Sequence, residues 1–229
     1  SPSWRFSNKL HAATSDSQGN LWLCTHSKGL EKISFVHRQF DFGVISNLKK
    51  GALANSIRTM YQDRKGNYWF GLRNGQISVF DNHWKYLGYL THQGTIEKKG
   101  PPIDGVAYSI LQDHSGIIWI GTRGKGLLRL QENEKLCYNI TRYTHDENNI
   151  YSISDNSIYS LYEDNSGFIW IGTFGKGLNY IDTKNIAEDK ISSIHFINFK
   201  NNLRNYPTEC GEIRHICPDK KGNIWLGTT

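Results

Sequence analysis

The sequence predicts an all-β fold of radially arranged four-stranded blades, a β-propeller, and three observations predict it. A stretch of the form Asp-x-x-Gly-x-apolar-Trp-apolar occurs five times, with tryptophans at Trp22, Trp69, Trp119, Trp170 and Trp225 at intervals of 47, 50, 51 and 55 residues. Each interval holds several short β-rich runs separated by glycine turns, which is the plan of an antiparallel blade. Every copy also sets one large indole at the same point. Wedge-shaped blades stacked side by side account for that, whereas a two-layer β-sandwich, the main rival, does not.

Within each repeat the elements follow in order. A β-rich run comes first: Ile57 to Tyr61, Val106 to Leu111, Ile158 to Tyr162 and Ile213 to Cys217. Next stands the pair Asp16 and Gly19, repeated at Asp63 and Gly66, Asp113 and Gly116, Asp164 and Gly167, and Asp219 and Gly222. An Asp three residues before a Gly predicts a tight hairpin, because the carboxylate accepts from nearby backbone N–H groups while Gly takes a left-handed conformation. The Trp run is apolar on nearly every residue, as a strand buried on both faces would be. A second glycine turn follows, at Ser27 to Leu30, Arg73 to Gly75, Arg123 to Leu127 and Phe174 to Leu178. Leu127 to Leu130 and Leu178 to Ile181 read as third strands. Weaker fourth strands are expected near Phe35 to Phe40, Trp84 to Tyr89, Cys137 to Tyr143 and Ile194 to Phe199.

The repeats run approximately over 4–52, 53–102, 103–153, 154–208 and, in part, 209–229, so the 229 residues form one propeller segment. With a first strand near Trp4 to Thr14 and a stop just after the fifth Trp strand, that makes four blades and about half of another. An open arc leaves unpaired strand edges. The chain is therefore expected to be an incomplete part of a larger, seven-bladed propeller. The alternative is a closed ring of four or five blades in which Gly222 to Thr228 pairs with the N-terminal strands.

Composition narrows the function classes. No run of eighteen apolar residues is present, so no transmembrane helix is expected, and Ser1 to Trp4 reads as a start inside a mature domain rather than a signal peptide. Cys24, Cys137, Cys210 and Cys217 lack CxxC spacing. Free buried thiols are expected, with a Cys210–Cys217 bridge as the alternative, and no metal or other cofactor. The formal charge of +6 is spread over loop lysines such as Lys49, Lys50, Lys98, Lys99, Lys220 and Lys221. Direct nucleic-acid contact would call for a concentrated basic stripe, so an affinity for anionic small ligands is the better reading.

In a blade counted outward from the axis, the first and third turns share one face, while the second turn and the link to the next blade share the other. The Asp…Gly hairpins lie on the first face, and their uniformity points to structural work. The second face gathers the irregular connections Asn47 to Asn55, Thr91 to Asp104, Thr144 to Asn156 and Asn201 to Gly211. Variable loops on a repeated scaffold are where binding concentrates. Two positions recur there. Five residues before each turn Asp stand His11, Arg58, Tyr108, Tyr159 and Arg214, and just after the second strand stand His26, Arg73, Arg123 and Phe174. Aromatic faces and planar donors are the kit that binds sugars, and arginines favour uronic or sulfated groups. The candidate ligand-binding residues are Arg58, Arg73, Tyr108, Arg123, Tyr159, Phe174, Arg214 and His215. Taken singly, each could instead plug the axis or solvate its mouth.

Catalysis has little support. No facing carboxylate pair or activated nucleophile is evident, and Glu209 and Glu212 near His215 form the one unusual polar cluster. The segment is therefore not expected to be an enzyme, with a propeller-fold lyase or glycan-active enzyme, or a protein-binding scaffold, as alternatives.

The stretch from Ile158 to Leu178, with Asp164, Gly167, Trp170, Gly172, Thr173, Gly175 and Gly177, is similar to the two-component regulator propeller repeat, and Val106 to Leu130 matches nearly as well. The first copy departs at Cys24 and the second at Leu72 and Gln76. The resemblance implies the periplasmic sensor domain of a bacterial hybrid two-component histidine kinase. In that setting the segment would bind oligosaccharides released from polysaccharides and regulate transcription of the genes that use them. Its partners would be the remaining blades and downstream domains of the same receptor, which would act as a homodimer.

Overall fold

The computed structural model describes residues 10–26, 29–34, 39–43, 56–184, 186, 191 and 194–229. The Trp4 to Lys9 part of the expected first strand, Ser27 and Lys28, Phe35 to Arg38 and the Asn47 to Asn55 connection lie outside the described residues.

Blade 1 consists of β1 (Leu10–Ser15), β2 (Leu21–Thr25), β3 (Gly29–Ser34) and β4 (Gln39–Gly43). Blade 2 consists of β5 (Ile57–Gln62), β6 (Tyr68–Leu72), β7 (Ile77–Phe80), β8 (Tyr86–Leu90) and β9 (Ile96–Glu97). Blade 3 consists of β10 (Val106–Gln112), β11 (Ile118–Arg123), β12 (Leu127–Glu134) and β13 (Cys137–Tyr143). Blade 4 consists of β14 (Ile158–Glu163), β15 (Phe168–Thr173), β16 (Leu178–Asp182) and β17 (Ile197–Asn198). β18 (Ile213–Pro218) and β19 (Ile224–Thr228) make a fifth, two-stranded sheet, and every sheet is an antiparallel meander in chain order. The inner strands β1, β5, β10, β14 and β18 pack each against the next. That is the expected β-propeller arrangement.

Each boundary between blades has its own apolar core. Trp22 packs with Ile57, Phe70 and Leu72 of blade 2, and Trp69 with Ala107, Ile110 and Ile120 of blade 3. Trp119 packs with Ile158, Ile169 and Ile171 of blade 4, and Trp170 with Ile213 and Leu226 of the fifth sheet. The indoles therefore all face the following blade. Trp69 and Trp119 are 0% and 1% exposed, whereas Trp225, with no blade packed on it, is 65% exposed.

The hairpin aspartate does more than shape its turn. Asp113 Oδ1 accepts from the backbone N–H of Ser115 at 2.9 Å and of Ile117 at 3.0 Å, while Oδ2 accepts the Trp119 indole N–H at 2.7 Å. The same indole bond recurs at Asp16, Asp63, Asp164 and Asp219, between 2.8 and 3.0 Å. Each turn thus fixes the ring that its own blade presents to the next. After the second strand, the hydroxyls of Thr25, Thr122 and Thr173 donate to the carbonyls of Gly29, Gly126 and Gly177. Leu72 breaks that pattern in blade 2, where only the backbone N–H closes the turn, onto the Gln76 carbonyl.

Three expectations change. Thr91 to Asp104 is not an open loop: Thr91 and Gly94 build a hairpin, with their hydroxyl and backbone groups bonded to Thr95, and β9 adds a fifth strand. The expected Trp84 to Tyr89 strand begins only at Tyr86, because Trp84 takes the left-handed place (φ 62°) that glycine takes in the other Asp turns. Ile194 to Phe199 shrinks to the two residues of β17. All four cysteines are free, and of them only Cys24 is fully buried, Cys217 being exposed.

Candidate functional site

The site begins with a backbone irregularity repeated in every inner strand. In β1 the register jumps between Leu10 and Ala12, in β5 between Ile57 and Thr59, in β10 between Ala107 and Ser109, in β14 between Ile158 and Ser160, and in β18 between Ile213 and His215. The unpaired residues are His11, Arg58, Tyr108, Tyr159 and Arg214. A bulge leaves one residue out of the ladder and re-aims its side chain.

The bulges coincide with close packing. A Cβ on Gly71 would lie 2.8 Å from Ala107 Cβ, one on Gly121 2.7 Å from Ile158 Cγ2, and one on Gly172 2.7 Å from Ile213 Cγ2. Glycine in the second strand thus lets the next inner strand press close. The residues flanking each bulge are held in that contact, and the bulged residue is left to the inner rim.

Along that rim the side chains meet in order. Arg58 Nη1 lies 3.3 Å from His11 Nδ1, and its guanidinium stands 5.3 Å over the Tyr108 ring. Tyr108 and Tyr159 stack at 4.6 Å with 8° between their planes. Arg214 lies over Tyr159 at 4.9 Å and over Phe174 at 5.5 Å, and Phe174 meets Tyr159 at 5.1 Å. Such contacts are worth about 0.5–1.5 kcal/mol for an aromatic pair and about 0.5–1 for an exposed cation over a ring. They order the row more than they stabilise the fold.

The second recurrent position runs beside the first. Arg73 Nη1 donates to His26 Nε2 at 2.9 Å, and the His11 and His26 rings are 5.5 Å apart. Phe174 is 43% exposed, and Arg73 and Arg123 are exposed. Burial raises the Tyr159 phenol above its ordinary range, with Tyr108 adding to the rise while Arg123 and Arg214 oppose it. The phenol stays a neutral donor at any physiological pH.

Of the candidate residues, then, Arg58, Tyr108, Tyr159, Phe174 and Arg214 form one continuous stack. Arg73 joins it through His26, and Arg123 is sensed at Tyr159 only through its charge. His215 stands apart, paired across the sheet with Gly227 and exposed on the face that carries no further blade. Glu212 pairs with Arg214 and accepts from the Thr229 hydroxyl at 2.8 Å, without touching His215. His11 and His26 complete the row. Their recurrence at the two rim positions was the available signal.

The comparisons with known proteins agree with this architecture. The family model "two component regulator propeller" matches residues 51–74, 101–124, 146–175 and 209–229. The repeats are two-component regulator propeller repeats. Histidine kinase P4 of Formosa agariphila is 27% identical over 180 residues, covering 79% of this chain and 12% of that protein. Among solved structures, the extracellular domain of a Bacteroides thetaiotaomicron protein described as a hybrid two-component system superposes with a TM-score of 0.66 at 23% identity, over 98% of this chain and 26% of that one. PorZ of Porphyromonas gingivalis, a surface component of the type-IX secretion system, gives 0.66 at 19% identity, over 96% of this chain and 31% of that one. This chain therefore spans about an eighth of the histidine kinase and under a third of either solved structure. At these identities the superpositions establish the fold alone.

Proposed function

We propose that the segment is the extracytoplasmic ligand-sensing part of a hybrid two-component sensor kinase and binds oligosaccharides along the stacked inner rim. Binding would be signalled across the membrane to control transcription of genes for polysaccharide use. The remaining blades and the downstream domains would be its partners, in a homodimeric receptor. Likeness to a histidine kinase and to an extracellular two-component domain supports the sensor role. The observation that carries the ligand class is the coplanar Tyr108–Tyr159 pair continued by Phe174 and flanked by guanidinium groups. Ring faces pack on the C–H surfaces of pyranoses, and the planar donors bond their hydroxyls. Binding without chemistry follows from the same set, which offers donors and ring faces and no facing pair of carboxylates.

The test is calorimetric titration with a panel of oligosaccharides, together with product analysis of the same mixtures. Heat of binding without new reducing or unsaturated ends is expected. Tyr159→Ala should weaken affinity by about tenfold or more, the value of a lost stacking contact and its phenol bond, while Tyr159→Phe retains most of it. Turnover that disappears in His215→Ala would replace the sensor with an enzyme, and unchanged affinity in Tyr159→Ala would move the site off this rim.

A further inference from the structure

The stack is chemically lopsided. At its blade 4 end, Arg214 is neutralised by Glu212. At its blade 1 and blade 2 end, Arg58 and Arg73 bond to imidazole nitrogens, and among the described residues neither touches a carboxylate. A guanidinium cannot lose its proton, so in both contacts the arginine donates and the histidine nitrogen accepts. The imidazoles hold the forks in place without cancelling their charge. His11 and His26, 5.5 Å apart, draw the two pairs into one cluster. Arg58 Nε is buried with no hydrogen-bond acceptor. Two oriented, uncompensated guanidinium groups within reach of a sugar-stacking surface are the donor set that planar or tetrahedral oxyanions demand.

We infer that His11, His26, Arg58 and Arg73 form an anion subsite at the end of the aromatic row, which takes a carboxylate or sulfate group of the bound glycan. The inference rests on the rim being the ligand site. It adds that recognition is divided: Tyr108, Tyr159 and Phe174 take the ring, and blades 1 and 2 take the charge. The ligand is thereby a uronate-containing or sulfated oligosaccharide.

The experiment uses sodium glucuronate and sodium sulfate alone, then uronate, sulfated and neutral oligosaccharides of equal length. Binding is followed by calorimetry and by the Hε1 resonances of His11 and His26. One of the two charged series should bind about tenfold more tightly than the neutral one, the effect of one charge-assisted contact, and the better series identifies the group. Arg73→Gln, at an exposed position, should remove most of that margin and leave neutral-glycan affinity within about twofold, since its stacking partners are untouched. Arg58→Gln should act alike and in addition loosen Tyr108. Equal affinity for charged and neutral glycans, or a margin that survives both substitutions, would overturn the subsite. If glucuronate or sulfate shifts the histidine signals while no oligosaccharide binds, the subsite stands and the glycan-sensor reading fails. If neutral glycans bind in a Tyr159-dependent way with no preference for charge, the reverse holds.

Discussion

Replacing Asp113 by Asn tests whether the turn aspartate is a structural lock, because the change is nearly isosteric and strikes one hydrogen-bond set. In the native turn both oxygens accept: Oδ1 from two backbone N–H groups and Oδ2 from the Trp119 indole. An asparagine that keeps its carbonyl on the backbone turns its amide N–H groups toward the indole N–H, and two donors then face each other across 2.7 Å. Flipping the amide relieves that contact but leaves Ser115 and Ile117 without their acceptor. Asp113 and Trp119 are each 1% exposed, so water cannot repair either arrangement. A hydrogen bond to a charged group is worth about 1.5–3 kcal/mol and a stranded buried donor costs about 1–3, and since the two overlap the expected loss is about 2–3 kcal/mol. The internal control is Asp219→Asn. Its turn is the same, with the indole bond at 3.0 Å, but Trp225 is 65% exposed and water substitutes for the lost acceptor. Urea unfolding followed by far-ultraviolet circular dichroism should show a lowered midpoint for Asp113→Asn and an unchanged one for Asp219→Asn. Equal shifts in the two variants would refute the argument that burial of the indole gives the contact its value.

Three further outcomes follow from the same geometry. Gly121→Ala drives a methyl to 2.7 Å from Ile158 Cγ2 and 3.2 Å from the Ile158 carbonyl oxygen, so it should destabilise by about 1–3 kcal/mol through overpacking. Gly124→Ala meets nothing within 4 Å and pays only for its φ of +74°, about 1–2 kcal/mol, so urea midpoints should rank the two in that order. The Asp219 carboxyl, held down by the Asn223 amide and then by the Trp225 indole, should titrate at about 2 by NMR against an ordinary 3.8. Its folded pKa being the lower, its stabilising contribution is intact above the ordinary value and is lost as pH falls from about 4 toward 2; a midpoint near 3.8 would show that these bonds do not form in solution. Burial pushes the Cys24 thiol up to about 12, so iodoacetamide at pH 8 should alkylate exposed Cys217 in the folded protein and reach Cys24 only after unfolding. Early labelling of Cys24 would mean that blade 1 opens readily.

The repeat made most of the fold legible. Asp…Gly spacing located every hairpin, and the apolar Trp runs located every second strand, because those signals are local and periodic. The outer strands were less readable. They bear the least burial pressure, so Phe80, Trp84 and Tyr86 could be arranged as a turn with Trp84 in a glycine conformation. β9 escaped notice because threonine can replace aspartate as a turn acceptor at Thr91, and a two-residue strand carries no alternation to detect. At the rim, recurrence at two positions brought out the residues that the fold gathers. What it could not show was order in space. Which arginine meets a carboxylate and which an imidazole depends on contacts between residues some fifty positions apart in the chain, such as His26 with Arg73.

The inner-strand bulge explains how one scaffold repeat can carry a varied site. A regular strand would commit each inner side chain either to the sheet's own blade or to the next, and both faces are close-packed around Gly71, Gly121 and Gly172. Inserting one unpaired residue preserves the packing of its neighbours: Ile57, Ala107, Ile158 and Ile213 are all fully buried. The extra residue is exempt from the volume constraint that holds those four positions to Ile or Ala. In the five sheets it is His, Arg, Tyr, Tyr and Arg, spanning charge, aromaticity and donor geometry, while the flanking framework changes little. Stability and recognition are thus assigned to adjacent residues with opposite demands. Exchanging the bulged residue, as in Tyr108→Arg, should therefore redirect ligand preference toward more negative charge at almost no cost in unfolding free energy. The same exchange one position earlier, Ala107→Arg, would drive a guanidinium into the space occupied by the Gly71 backbone and prevent the blades from closing.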